Sequence, residues 1–317
     1  MIRLEKLRNI ILSKTFRQLC GFVLLISIAI YVFKNKNLFS NILSISLFYL
    51  FLLAIVWICI YLITGYQTKI FLRIFNIKTS PREWFGTTVI ATMSNYLLPH
   101  SGIVARGGYF KLKKQMSLCD FLAVQSAEYF LMFMIKGLLG FSCAFFLLVE
   151  PKYKFTLSLI FLVFVFIGLI PFLLRIFKIN SSSWIMDKIR NVVLGIELIS
   201  KSHSAYIGLI ILSLVSSFGY ALWYFFGYKA IGIHMSFFNA FVLGLLMKVI
   251  MVVSITPGNL GIQEVAIATY SIVGKVGFDK GLAMSLVLRG ISIPMSFLLG
   301  LIFTKKLFDV YSCDKPI

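Results

Sequence analysis

Apolar positions in this chain run in long unbroken blocks, not in the stripes that a water-facing helix or strand would show. Crossing the hydrocarbon core takes about 20 such residues in a helix. Six blocks predict crossing helices, near residues 18–33 (short, and extended at its ends), 42–63, 120–149, 155–174, 204–228 and 281–303. Two further apolar regions are interrupted. Residues 84–98 stop at Pro99, and the arm that follows, from Gly102 to Ser117, carries Arg106, Lys111, Lys113 and Lys114. Four cations make that arm a poor lipid-facing span. The matching region runs from about 236 through Pro257 and Gly258, then through Gly261 to about 273. Both regions are expected to be re-entrant helical hairpins, although the first arm of the second is long enough to count as a crossing, so six to eight spans are compatible with the pattern.

Lysine and arginine set the expected sidedness. If the first hairpin enters from the cytoplasm and the second from outside, 21 of the 31 Lys and Arg fall inside, seven outside, and Lys136, Lys248 and Arg289 within the membrane. This bias predicts that both termini are cytoplasmic. The basic N-terminal stretch precedes an apolar block that runs into Lys34 with no small-residue cleavage site, so an uncleaved first span is expected. Between Arg175 and Lys201, Ile185, Ile189, Val192, Ile196 and Ile199 recur at helical spacing. That predicts an amphipathic helix, lying either on the inner leaflet or against the protein's own cytoplasmic face.

Composition excludes a soluble fold. Only 13% of the 317 residues are charged and 60% are hydrophobic, against about 25% charged in ordinary soluble domains. The fold class is therefore an all-α polytopic membrane protein. The net charge of +20 reflects topology and not nucleic-acid binding. The five cysteines and three histidines show no metal-ligand spacing, so no metal and no cofactor is expected.

Side by side, the hairpin regions form a weak repeat. Asn95 to Pro99, Gly102, Ser117 to Ala123 and Glu128 correspond to Ser254 to Pro257, Gly261, Phe278 to Ala283 and Arg289, with 24 residues from proline to alanine in one copy and 26 in the other. The whole chain reads as a single domain with repeat A at about 42–149, a linker at 175–203 and repeat B at about 204–303. Entry from opposite sides would make the repeat inverted, as in many transporters.

Broken helices at membrane depth need protein or water to satisfy freed backbone groups, which points to a polar cavity at the tips. The helix N-termini that start there, beside Gly102 and at Gly258 and Gly261, would attract a phosphate or carboxylate. Membrane charges each cost about 2.5–3.5 kcal/mol at mid-helix. Arg106, Glu128, Glu264 and Arg289 are the site candidates, as structural ion pairs, as lining of a headgroup route, or as both. Asn95 and His100 join them at the first tip, where His100 could hydrogen-bond a ligand or serve the turn alone. Lys136 and Lys248 are membrane-charge candidates too, of lower weight, since snorkelling along the helix surface is the alternative reading for them.

The run Thr256-Pro257-Gly258-Asn259-Leu260-Gly261-Ile262-Gln263-Glu264, with Leu288-Arg289 in the next span, resembles the P-G-G-x-G-x-x-E signature of the lysylphosphatidylglycerol synthase transmembrane-domain family. Asn95-Tyr96-Leu97-Leu98-Pro99-His100-Ser101-Gly102 with Arg106, then Ala127-Glu128, resembles that family's N-x-L-L-P-G-x-x-G-E-x-x-R and E-R segments. The likeness extends over about 45–305. It implies a flippase-like membrane region, without the aminoacyltransferase domain, in a bacterial inner membrane. Asn259 and His100 replace usual glycines, Ile103 an acid and Tyr129 an arginine; the last two could be one coupled loss of a salt bridge.

The expected function is translocation of an anionic or amphoteric phospholipid or lipid-linked glycan headgroup, without enzymatic chemistry. No P-loop is present, so a gradient, the membrane potential or product consumption would drive it. A non-transporting partner of a polysaccharide or lipid-modifying complex, or a membrane-embedded glycosyltransferase-related enzyme, are the alternatives. A homo-oligomer and cell-envelope partners are both compatible with the sequence.

Overall fold

The computed structural model describes residues 45–148, 151–176, 184–252 and 256–308, with Ile30 besides; for helical residues 147–148, 175–176 and 184–191 it describes the backbone alone. These residues form ten α-helices and no strand. In chain order they are α1 (Leu47–Ile74), α2 (Pro81–Leu97), α3 (Ser101–Lys114), α4 (Leu118–Ser142, prolonged by a π-helical turn at Cys143–Leu148), α5 (Pro151–Ile176), α6 (Trp184–Lys201), α7 (His203–Ala230), α8 (Phe237–Ile250), α9 (Ile262–Val273) and α10 (Phe278–Phe308).

Helices α1, α4, α5, α7 and α10 are long and apolar enough to cross a membrane. Apart from Ile30, the block at 18–33 lies outside the described residues. Outward faces carry large apolar side chains such as Phe48, Phe51, Phe155, Phe166 and Leu301, with Phe155 77% exposed. Such faces suit lipid and not water. The protein is an all-α polytopic membrane protein.

Helix α1 continues eleven residues beyond its expected end at 63. Phe71 and Leu72 explain the extension, because both are fully buried in a second core with Phe110, Phe121 and Leu131. The larger core joins α1, α7, α8, α9 and α10 around Trp57, Tyr224, Leu243 and Met284. Where α4 meets α5, Gly137, Gly140 and Gly168 leave no room for a Cβ against the facing helix, so the two backbones approach closely.

The ends of α2 follow from local chemistry. Ser80 accepts a hydrogen bond from the Glu83 N–H at 3.3 Å, and Glu83 accepts one from the Ser80 N–H at 2.7 Å, with Pro81 opening the helix. That reciprocal cap satisfies two otherwise free donors. At the other end Pro99 cannot continue the helix, and Leu98 before it is extended.

Packing between the two hairpin regions is crosswise. Helix α2 lies against α10, α8 against α4, and α1 against α7. Each hairpin's first arm thus rests on the last long helix of the other half. Helix α6 packs on α4, with Gly195 pressed to the Ala123 carbonyl and Ile196 and Ile199 buried. Of the two places open to the amphipathic helix, it takes the protein's own face; the side chains of Ile185 and Ile189 lie outside the described residues.

Candidate functional site

The first hairpin turns through Leu98-Pro99-His100, with His100 in the left-handed region at φ 60°. Three hydrogen bonds fasten the turn. Ser101 Oγ donates to the Leu98 carbonyl at 2.7 Å and to the Ser94 carbonyl, and the Gly102 N–H donates to Asn95 Oδ1 at 2.8 Å. A side chain at Gly102 would collide with the Ala91 carbonyl and Asn95.

Three positive-φ residues make the second tip: Gly258 at 57°, Asn259 at 54° and, beyond the extended Leu260, Gly261 at 84°. Thr256 Oγ1 donates to the Leu260 carbonyl at 2.8 Å, and Asn259 Nδ2 reaches the Met251 carbonyl at 3.2 Å. The N-terminus of α9, which the sequence offers to an anion, is taken by the chain's own Glu264, whose Oε2 accepts the Gly261 N–H at 2.6 Å. The other oxygen of that carboxylate accepts from Arg289 Nε at 2.5 Å. Arg289 also donates to the Asn259 carbonyl at 3.2 Å and to the Tyr96 hydroxyl at 3.3 Å. Glu264 and Arg289 are 2% and 9% exposed, so the pair is a buried clamp tying the second tip to α10.

The two tips meet. Tyr96 on α2 sits so close to Gly258 that a Cβ there would strike its ring, and the Arg289 guanidinium lies 5.8 Å from the centre of the same ring. Beside this contact lies a cavity of about 420 Å³, walled by α1, α2, α3, α4, α7, α10, both tips and the end of α8. Of the sequence candidates, Asn95, His100, Arg106, Gly258 and Arg289 line it. Gly261, Glu264 and Glu128 do not. Glu264 faces a separate cavity of about 40 Å³ with Gln263 and Trp57, and Gly261 is held by the clamp.

Among the described residues Arg106 has only neutral hydrogen-bond partners, Gln125 Oε1 at 3.3 Å and Thr88 Oγ1 at 3.2 Å, and its Nε has none. Gln125 in turn donates to Glu128 Oε2 at 2.7 Å. The amide therefore stands between arginine and carboxylate, and the direct Arg106–Glu128 pair is not formed. Ile103 on α3 and Tyr129 on α4 both line the cavity, so these two departures from the family pattern border the same space.

Lys248 carries less weight in the sequence than the other membrane charges. It does not snorkel: its ammonium lies in the cavity, 3.2 Å from the Tyr220 hydroxyl and 4.8 Å from that ring's centre. Lys136 does not snorkel either. It is 1% exposed and donates to Ser217 Oγ at 2.8 Å, Ser216 Oγ at 3.4 Å and the Ser213 carbonyl at 3.5 Å on α7. Tyr61 and Tyr220 escaped the sequence reading, and Tyr96 and Tyr129 entered it only as parts of motifs, since one tyrosine in an apolar helix carries no signal until the helices are packed together. Among the described residues no group of three or more His, Cys, Asp or Glu could hold a metal ion.

The arrangement offers a cationic, hydroxyl-lined chamber between two broken helices. No curated protein and no solved structure matches the chain. A family model does, over residues 18–300: that of the lysylphosphatidylglycerol synthase TM region, and the chain belongs to that family.

Proposed function

We propose that the protein translocates the headgroup of an anionic or amphoteric lipid, a phospholipid or a lipid-linked glycan, between the leaflets of a bacterial inner membrane, with no bond made or broken. Membership of a family named for a lipid synthase's membrane region supports a lipid-related role. The observation that carries the reading further is the cavity itself. It gathers Arg106, Lys248 and Arg289 from three different elements beside the junction of both hairpin tips. A headgroup phosphate would contact Arg106 and Lys248, while the Glu264 clamp keeps Arg289 in place. Acyl chains would stay in lipid.

The crosswise packing suits two hairpins entering from opposite faces, so that rocking one half against the other exposes the same chamber alternately. The excess of Lys and Arg in the proposed inside segments supports cytoplasmic termini. The test is movement of labelled phospholipids and polyprenyl-phosphate lipids across proteoliposome membranes. Wild type should move at least one class, and folded Arg106→Gln and Lys248→Gln variants should be slower by about tenfold, one charged contact of about 1.4 kcal/mol. Rates in wild type equal to those of protein-free vesicles would exclude translocation.

A further inference from the structure

The charges around the cavity narrow the headgroup, on the basis of the translocation reading above. Three cations reach its wall, and among the described residues no carboxylate lines it. The two acids close by are already engaged. Glu264 accepts from Arg289 and from the Gly261 N–H, and Glu128 lies behind Gln125. Counting both acids against Arg106, Lys248 and Arg289 still leaves one positive charge. The rest of the lining is neutral and rich in hydrogen-bonding groups: the hydroxyls of Tyr61, Tyr129, Thr64 and Thr92 and the amide of Asn95.

An ammonium entering this space would leave water without a carboxylate to pair with, and would stand beside like charge. A phosphate would meet unneutralised guanidinium and ammonium groups, and hydroxyls would find neutral partners on aromatic walls. At about 420 Å³ the chamber has the size of a small-molecule site. We infer that the cavity selects a phosphodiester whose remainder is uncharged and hydroxylated, a polyol or a sugar, and rejects headgroups that carry an ammonium. Rejection is as much a part of the selectivity as attraction. Lys248 is the residue that sets the preference, since Arg289 is paired with Glu264 and Arg106 is joined through Gln125 to Glu128, whereas Lys248 hydrogen-bonds the Tyr220 hydroxyl.

Calorimetric binding to the purified full chain tests this with four short-chain probes: dihexanoyl phosphatidylglycerol, a polyprenyl-phosphate hexose, dihexanoyl phosphatidylethanolamine, and the lysyl ester of the phosphatidylglycerol. At least one of the first two should bind about tenfold more tightly than either ammonium probe. Whichever of the two binds more tightly identifies the source, glycerophospholipid or lipid-linked sugar. Folded Lys248→Gln should bring the probes to within about twofold of one another, and Lys248→Arg should keep the preference.

Equal binding of an ammonium probe, binding of none of the four, or an unchanged preference in Lys248→Gln would overturn the assignment. Transport in proteoliposomes separates this from the broader reading. Selective binding without lipid movement sinks translocation and leaves the selectivity standing. Equal movement of phosphatidylethanolamine and phosphatidylglycerol sinks the selectivity and leaves translocation standing.

Discussion

The two hairpins use the same ionic device at opposite ends. In the second, Arg289 and Glu264 lock the tip at 2.5 Å, with side chains 10% and 3% exposed. In the first, the ion pair closes the base. Lys114 at the end of α3 reaches Glu83 at the start of α2 at 2.7 Å, and the side chains are 26% and 16% exposed. The Tyr109 hydroxyl adds a hydrogen bond to Glu83 at 3.2 Å. Among the described residues the first tip is held by neutral hydrogen bonds, the Gly102 N–H to Asn95 Oδ1 and Ser101 Oγ to backbone carbonyls. Position decides what each pair is worth. A pair near water contributes about 0–1 kcal/mol, whereas breaking a buried one costs about 3–5 kcal/mol. The second tip is thus the rigid half of the chamber, and the first, carrying an Arg106 with neutral partners, is the half that a ligand can reorganise.

The largest effect should come from breaking the buried clamp from one side. Glu264→Gln leaves Arg289 without a carboxylate and should destabilise the protein by about 3–5 kcal/mol, seen as a lower midpoint of thermal unfolding in detergent. Adding Arg289→Gln should recover part of that loss. A single variant as stable as wild type would remove the distinction between the two tips.

Next in size is Gly258→Ala. It puts a Cβ at φ 57° and into the Tyr96 ring, for about 1–3 kcal/mol. Tyr96→Leu should relieve the steric share. On the first hairpin, Asn95→Ala removes one neutral hydrogen bond and should cost about 1 kcal/mol. Amide exchange should then rise around 99–102 and stay unchanged around 256–261; a rise at both would mean that the tips open together.

The smallest effect belongs to the base of the first hairpin. Partial burial pulls the Glu83 carboxyl upward, but the hydrogen bond and charge of Lys114, with the Ser80 N–H, hold it below the usual carboxylate range. A depressed folded value means that the stabilisation is present above the unfolded value of about 4.3 and fades as pH falls through the folded one. Wild type should therefore exceed Glu83→Gln in unfolding midpoint at pH 7, by an amount that corresponds to less than about 1 kcal/mol, and the gap should close in acid.

Much of the scaffold could be read before any coordinates. Pro99 and Pro257 mark helix breaks because proline lacks a donor and restricts the residue before it; the first break falls within two residues of Pro99, whereas around Pro257 it is wider, from the end of α8 at Ile250 to the start of α9 at Ile262. Glu264 and Arg289 stood out because membrane charge is costly. What escaped was everything that needs helices to be brought together. Lys248 looks like a snorkelling lysine along its own helix, and only the approach of α7 gives it Tyr220. Gln125 looks like an incidental polar residue, yet it accepts a hydrogen bond from Arg106 and donates one to Glu128. The N-terminus of α9 seemed free for an anion, because spacing alone does not tell whether Glu264 folds back onto it.

Lys136 carries a consequence for biogenesis. Its hydrogen-bond partners are all on α7, 77 to 81 residues further along the chain. During synthesis α4 enters the bilayer with a lysine whose acceptors have not yet been made, a burden of about 2.5–3.5 kcal/mol at mid-helix. The glycine seam with α5 is available at once, since α5 follows directly, and it can hold α4 in place meanwhile. The arrival of α7 then discharges the burden, which gives assembly an order: α4 with α5 first, and the second half drawn onto them by a waiting ammonium.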